Sequence, residues 1–263
     1  MMQSIKPLRK FGQNYLTDKN IIRKIINEIS PKEGDNLIEI GPGTGSLTKE
    51  LLERVPQITA VEIDKRANEI LLTKYPGLCL AEEDFLKFDL QKIYEKKHKK
   101  LRIVGNIPYN LTSSILFKLI DNNQIIEDAT LMVQFEVARR MTAKVGTKDY
   151  GILAVLVQYF SDIKLCFKIS PNVFFPKPKV YSAIVHLFFK EDLLAGEKKK
   201  LFIQIVKASF GKRRKILKNS LSNSIFEKLN FANCGIDLSL RAEQLSIQEF
   251  LTLTDFAYKK LGF

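Results

Sequence analysis

The tetrapeptide Asn106-Ile107-Pro108-Tyr109, which ends the apolar run Leu101-Arg-Ile-Val104, brings together what is needed to act on an amino group attached to a flat ring. Such an amine is a poor nucleophile, because its lone pair is delocalised into the ring. Two hydrogen-bond acceptors aimed at its two N–H groups draw the nitrogen toward tetrahedral geometry. The Asn106 side-chain carbonyl and the Ile107 or Pro108 main-chain carbonyl can be those acceptors, Pro108 fixes the backbone, and Tyr109 offers a face for stacking. A strand followed by a proline turn has the same composition, so the tetrapeptide does not decide alone.

A second constellation lies upstream. Gly41-Pro42-Gly43-Thr44-Gly45 follows the strand-like Leu37-Ile-Glu-Ile40 and opens a helix, and Glu62 closes the next apolar run. Glycines let the backbone approach a ligand, and an acidic side chain can accept from both hydroxyls of a ribose, the geometry of a nucleotide-type cofactor lying across strand ends. The pattern departs from G-x-G-x-x-G, since Ser46 stands where the third glycine would be. A dinucleotide needs the helix N-terminus for its pyrophosphate. S-adenosylmethionine carries no phosphate and needs a niche for its methionyl group, so the methyl donor outranks NAD. After the third apolar run, Glu82-Glu83-Asp84-Phe85 offers Asp84 to the cofactor's adenine amine. The expected cofactor contacts of this edge are Gly41, Gly43, Glu62, Ile63, Asp84, Phe85 and Asn106. Glycine loops built only for tight packing, and acidic clusters that are only solvated, are the plain alternatives. Three such features at the ends of successive strands favour a ligand site.

The elements that must position these groups alternate through the first two thirds of the chain, the signature of an α/β sheet with crossover helices. Thr17-Asp18 caps a helix with apolar positions Ile21, Ile22, Ile25, Ile26 and Ile29, ended by Ser30-Pro31. Strands are predicted near 37–40, 58–63, 78–81, 101–104, 131–135, 163–169 and 182–189, a seven-strand sheet, with helices near 46–55, 65–74, 112–121 and 150–160. Composition changes after Lys190, and the remainder reads as helices over 198–210 and 213–223 and one opening at Ser246, with Glu249 completing a capping box. The expected domains are therefore 1–190 and a small α-helical domain, 191–263.

With 42 Lys and Arg against 29 Asp and Glu the formal charge is +13, which points to a polyanionic partner, nucleic acid ahead of an acidic membrane. No apolar run approaches the ~20 residues of a membrane span, and no hydrophobic signal region opens the chain, so a cytoplasmic protein is expected. The three cysteines and two histidines show no metal-ligand spacing, and neither His98 nor His186 reads as a catalytic base. No metal is expected.

Phe174-Phe175-Pro176-Lys177-Pro178-Lys179-Val180-Tyr181-Ser182 joins aromatics held by prolines to lysines. A flipped base can stack between Tyr109 and Phe174 while Lys177 and Lys179 meet the flanking phosphates. Further basic clusters are Lys6/Arg9/Lys10, Lys96 to Lys100, and Lys212-Arg213-Arg214-Lys215 with Lys218. Together they suit a structured RNA.

The chain resembles, over essentially its whole length, the small-subunit (16S) ribosomal RNA adenine-N6,N6-dimethyltransferase family. The matching segments are Lys10-Phe-Gly-Gln-Asn-Tyr-Leu16, Glu39-Ile-Gly-Pro-Gly-Thr-Gly45, Val61-Glu-Ile-Asp64, Asp84, Gly105-Asn-Ile-Pro-Tyr109, Phe174 with Pro176-Lys-Pro-Lys-Val-Tyr-Ser182, Lys212-Arg-Arg-Lys-Ile-Leu-Lys-Asn-Ser-Leu221 and Arg241-Ala-Glu-Gln-Leu-Ser246. The resemblance implies a Rossmann-like class I methyltransferase domain with a helical C-terminal RNA- or ribosome-binding domain. It implies methylation of two adjacent adenosines in the 3′-terminal hairpin of small-subunit RNA within the immature 30S particle, by a monomer. It adds Asn14 and Leu16 to the cofactor contacts and makes Asn106, Tyr109 and Phe174 the target-base site. Tyr15 stands where many members have Phe, and Ile107 where many have Leu. Two rivals remain open: a large-subunit RNA adenine methyltransferase of the antibiotic-resistance type, and an assembly factor acting mainly by binding.

Overall fold

The computed structural model describes residues 13–191, 193–212 and 214–262. A two-residue strand, β1 (Tyr15–Leu16), precedes α1 (Lys19–Ile29), which begins where the Asp18 side chain accepts the Asn20 and Ile21 N–H groups at 2.8 and 3.0 Å. This is an N-cap, satisfying donors that the first helical turn leaves open. Ile22, Ile25, Ile26 and Ile29 form the stripe that α1 buries. Then follow β2 (Asn36–Ile40), α2 (Ser46–Leu52), β3 (Thr59–Val61), α3 (Lys65–Lys74), β4 (Cys79–Ala81), α4 (Leu90–Lys97), β5 (Leu101–Asn106), α5 (Thr112–Asp121), β6 (Ile126–Gln134), α6 (Phe135–Met141), α7 (Ile152–Phe160), β7 (Ser161–Ile169), β8 (Phe174–Phe175) and β9 (Ser182–Phe189). Three helices end the chain: α8 (Gly196–Phe210), α9 (Leu217–Ser222) and α10 (Ile247–Lys260), the last opened by a capping box between Ser246 and Glu249.

Seven strands form one sheet in the order β4-β3-β2-β5-β6-β9-β7, and β1 pairs with β8 apart from it. The pairings from β4 through to β6 are parallel, and β9 runs antiparallel to β6. Apolar side chains on both faces of β2, β5 and β6 explain their near-continuous hydrophobic sequences, as expected of parallel strands covered by helices. Chain order reverses between β2 and β5, so a crevice opens beyond their carboxyl ends.

Two helices escaped the sequence reading. Only Leu90 of α4 is buried, so its eight residues carry almost no helical stripe. The run Leu131 to Phe135 is continuous in hydrophobicity, yet β6 starts at Ile126 and Phe135 begins α6. Composition cannot mark a strand-to-helix change inside an apolar run. The helix expected over 213–223 is limited to Leu217–Ser222.

The chain divides into two compact units, Met1–Ala138 with Ile163–Phe189 and Arg139–Asp162 with Lys190–Phe263. The second resumes at Lys190, where composition changes, and it also takes 139–162, which the sequence reading assigned to the first domain. The reason lies in its core, where Phe202 of α8 packs on Tyr159 and Phe160 of α7 with ring centroids 4.6 and 6.2 Å apart. The first unit instead buries aliphatic side chains between sheet and helices, including Ile25, Leu37, Leu51, Val104 and Ile184.

At the starting ends of the parallel strands the first unit contains a buried charge network. Arg102 donates to both oxygens of Asp128 at 2.9 and 2.7 Å, to Asp35 at 2.6 Å and to the Ile29 carbonyl at 2.6 Å. His186 Nε2 lies 2.7 Å from Asp128 Oδ2, and its Nδ1 lies 3.3 Å from Glu28. Burial pushes the Asp128 and Asp35 carboxyls up, but bonds from His186 and Arg102 to Asp128, and from the Lys32 N–H and Arg102 to Asp35, outweigh it and hold both below the usual range.

Candidate active site

At the opposite ends of those strands lies a cavity of about 220 Å³. Its wall is supplied by Gln13 to Tyr15, by Gly41 and Gly43 after β2, by Glu62 and Ile63 after β3, by Glu83 to Leu86 after β4, and by Asn106 to Leu111 after β5. Asn14, Gly41, Gly43, Glu62, Ile63, Asp84, Phe85, Asn106, Pro108 and Tyr109, singled out from sequence, all meet here. Leu16 and Phe174 do not line it, although Leu16 borders a smaller cavity that shares the glycine loop with it. They face each other across the β1–β8 pair and are buried in the apolar core at 3 and 5% exposure. A face for stacking on Phe174 is therefore not open, whereas its neighbour Phe175 is 61% exposed. Lys177 and Lys179 are exposed beyond β8, and Lys212, Arg214, Lys215 and Lys218 are exposed in the second unit. Lys6, Arg9, Lys10 and Arg213 lie outside the described residues.

The glycine loop is held by hydrogen bonds rather than by side-chain bulk. The Gly43 N–H donates to Glu62 Oε2 at 3.1 Å and the Asp64 N–H to Oε1 at 2.9 Å. Each carboxylate oxygen keeps acceptor capacity for a ligand hydroxyl. Burial raises the Glu62 pKa and the charge of Asp64 adds to this, against those two N–H bonds. Gly43 has φ +55°, and a Cβ there would stand 2.8 Å from Tyr15 Cε1, so the close approach of β1 to the loop requires glycine. At Gly105 a Cβ would fall 2.7 Å from the Ile40 carbonyl, so glycine is what lets β2 and β5 converge beneath Asn106. Asp84 accepts the Leu86 N–H at 2.9 Å, while Asn68 of α3 donates to Glu82 at 3.1 Å and draws it aside. Of the acidic cluster, Glu83 and Asp84 reach the cavity.

Asn106 donates from Nδ2 to the Asn14 carbonyl at 2.8 Å. The reversed amide would set two carbonyl oxygens against each other, so this bond fixes Oδ1 as an acceptor on the cavity wall. The Pro108 carbonyl accepts the Leu111 N–H at 3.0 Å and so commits one lone pair to the turn that follows. Tyr109 is half-buried, its hydroxyl 2.6 Å from Ser182 Oγ, and burial raises its pKa.

One residue escaped the sequence reading. Glu39, two positions before Gly41, is 1% exposed and borders a smaller cavity of about 30 Å³, with Tyr15, Gly41, Gly43 and Asn106 shared between the two cavities. Burial, aided by the charge of Glu62, pushes its carboxyl up to about 8. Among the described residues neither Glu39 Oε2 nor the Tyr15 hydroxyl has a hydrogen-bond partner. The signal was present in the sequence: a lone acid inside the apolar strand Leu37-Ile-Glu-Ile40 is costly to bury unless something pairs with it. These unpartnered polar atoms, the ribose-type acceptor at Glu62 and the free edge of Asp84 fit S-adenosylmethionine, which presents an ammonium, two hydroxyls and an adenine amine. Among the described residues no group of three or more His, Cys, Asp or Glu is arranged to hold a metal, and no helix is long and apolar enough to cross a membrane.

Sheet order, glycine loop and strand-end acids together define a class I methyltransferase that uses S-adenosylmethionine as methyl donor. Residues 5–259 match the family model described as ribosomal RNA adenine dimethylase, and the chain belongs to that family. It is 47% identical over 245 residues to ribosomal RNA small subunit methyltransferase A of Chlorobium phaeobacteroides strain BS1, covering 93% of this chain and 91% of the relative. Among solved structures it is similar to a dimethyladenosine transferase from Plasmodium falciparum, with TM-score 0.77, 27% identity and coverage of 93 and 98% of the two chains. The 23S ribosomal RNA methyltransferase ErmE also resembles it, with TM-score 0.66, 27% identity and coverage of 92 and 99%.

Proposed function

We propose that this protein methylates N6 of two adjacent adenosines in the 3′-terminal hairpin of small-subunit ribosomal RNA, acting as a cytoplasmic monomer on the immature 30S particle. The observation that carries the chemistry is the Asn106 amide, anchored by Asn14 so that Oδ1 remains an acceptor at the cavity wall. The choice of small-subunit over large-subunit RNA is supported by the 47% identity to a small-subunit methyltransferase against 27% to ErmE.

Gly41, Gly43 and Asn14 would bound the donor, Glu62 would hold its ribose hydroxyls, Asp84 and Phe85 its adenine, and Glu39 its ammonium end. When bound, S-adenosylmethionine supplies an electrophilic methyl group. The protein's own part is positional. Asn106 Oδ1 and the Ile107 carbonyl accept the two N–H bonds of adenine N6, the Pro108 carbonyl having one lone pair already committed to its turn, and so free the lone pair of the amine. Tyr109 stacks on the base, while Phe174 supports from the core the segment that carries Lys177 and Lys179 to the phosphates. Both acceptors at N6 are neutral, so neither retains the proton that the methylated amine sheds to water. For the second methyl one N–H remains and a single acceptor orients it.

The test is to incubate the protein and labelled S-adenosylmethionine separately with immature small subunits, mature large subunits and DNA, then digest and identify the labelled nucleoside. Dimethyladenosine in small-subunit RNA is expected. Label in large-subunit RNA, or none in any substrate, overturns the assignment.

A further inference from the structure

Within residues 175–181 the first unit exposes three apolar side chains, Phe175, Val180 and Tyr181, at 61, 43 and 49%. The core beneath does not take them; it takes Pro178 within this stretch and Phe174 just before it, which are buried. Over the Tyr181 ring lies Lys168 of β7, its Nζ 3.8 Å from the ring centroid, and the same ammonium is 4.7 Å from the centroid of Phe135. The Phe135 N–H donates to the Tyr181 main-chain oxygen at 2.9 Å, which locks the two rings' backbones together. An exposed cation is thus held against two aromatic rings, and the Tyr181 ring beside it keeps about half its surface open. A π face tolerant of any base, next to a fixed positive charge, is the pairing that binds one unpaired nucleotide.

Its position links it to the target base. Ser182, the next residue, meets the Tyr109 hydroxyl at 2.6 Å, and its register partner across β6 is Gln134, which immediately precedes Phe135. Exposed Lys177 and Lys179 flank the patch in a chain of net charge +13, so a polyanion suits it better than a protein surface. We propose that Tyr181 and Lys168 form a second nucleotide subsite, which stacks the unpaired RNA base neighbouring the target adenine and binds its phosphate. This rests on the reading of RNA as substrate.

The experiment uses the full chain with Tyr181→Ala, Tyr181→Phe and Lys168→Met. Two readings are taken: KM and kcat on immature small subunits, and binding of a fluorescent 3′-hairpin RNA over a salt series, which needs no turnover. Affinity for S-adenosylhomocysteine is the control. Tyr181→Ala is expected to weaken hairpin binding and raise KM about tenfold, with kcat and the control unchanged, and Tyr181→Phe to behave as the parent. Lys168→Met should lower the salt slope of binding by about one. Hairpin affinity within twofold of the parent for Tyr181→Ala, or equal impairment in Tyr181→Phe, overturns the subsite, as does an unchanged salt slope in Lys168→Met. A parent that binds the hairpin but methylates no RNA would overturn the functional reading and leave the subsite to stand or fall on binding.

Discussion

At the starting ends of β2, β5 and β6, Asp35 and Asp128 are surrounded by Arg102, His186 and main-chain donors; at the finishing ends of β2 and β3, Glu39 and Glu62 are buried with no ion pair to either among the described residues. The same sheet therefore holds carboxylates below their usual pKa at one edge and above it at the other. A buried charge whose partners come from the protein contributes to a single packed arrangement, whereas one left short of partners is poised for a ligand that brings them. The difference separates what this fold spends on holding together from what it spends on binding.

The sharpest way to break that contrast is Arg102→Met, which strands two buried carboxylates. It should cost about 4 kcal/mol of stability in denaturant unfolding, while kcat per folded molecule stays near the parent. If activity falls as steeply as stability, the two edges are not separable. The converse substitution, Asn106→Ala, should reduce kcat by about 10²–10³-fold, the cost typical of a lost positioning acceptor or donor, with a melting temperature close to that of the parent. Next comes Glu62→Gln, for which calorimetry should show S-adenosylhomocysteine binding weakened by about 2 kcal/mol, the worth of a hydrogen bond to a charged group. Unchanged affinity would remove Glu62 from the donor site.

The smallest effect is a pH slope. Folded Glu39 keeps its proton up to about pH 8 while the unfolded chain releases it near 4.5, so this group's stabilisation is full below 4.5 and is lost as pH rises toward 8. Glu39→Gln should flatten the decline of stability with rising pH inside that window. Asp128 has the opposite sign: its contribution is present above 3.8 and is lost as pH falls below that value. Melting curves across pH should therefore show Glu39→Gln departing from the parent between about pH 4.5 and 8 and Asp128→Asn losing its difference from the parent only below 3.8.

The strand ends were legible because each carries a polar group after an apolar run, as at Gly41, Glu62, Asp84 and Asn106. Apolar runs alone misjudged the start of β6 and hid α6, since periodicity has no boundary at Phe135. Adjacent aromatics defeated the reading differently. Nothing local in Phe174-Phe175 says which ring turns inward; pairing with β1 decides it, and that pairing joins residues far apart in the chain. Glu39 was passed over because a single acid in a strand is invisible to hydrophobic pattern, though its burial makes it the most perturbed carboxyl near the glycine loop. The second unit's claim on 139–162 depends on aromatic packing that no composition shift announces.

The short β1–β8 ribbon bears on how the protein is made. Asn14, which anchors Asn106, adjoins Tyr15, whose strand partner is Phe175, and β9 must enter between β6 and β7 to complete the sheet. Contacts of such sequence separation form slowly, because loop closure must precede the gain. A nascent chain can thus lay down β2 through β6, with the glycine loop and Asn106 in place, before residues 174–189 have left the ribosome. The β1–β8 ribbon closes only after Phe175 has emerged, so a chain that ends before that point lacks the strand partner of Tyr15, whose ring packs against the glycine loop.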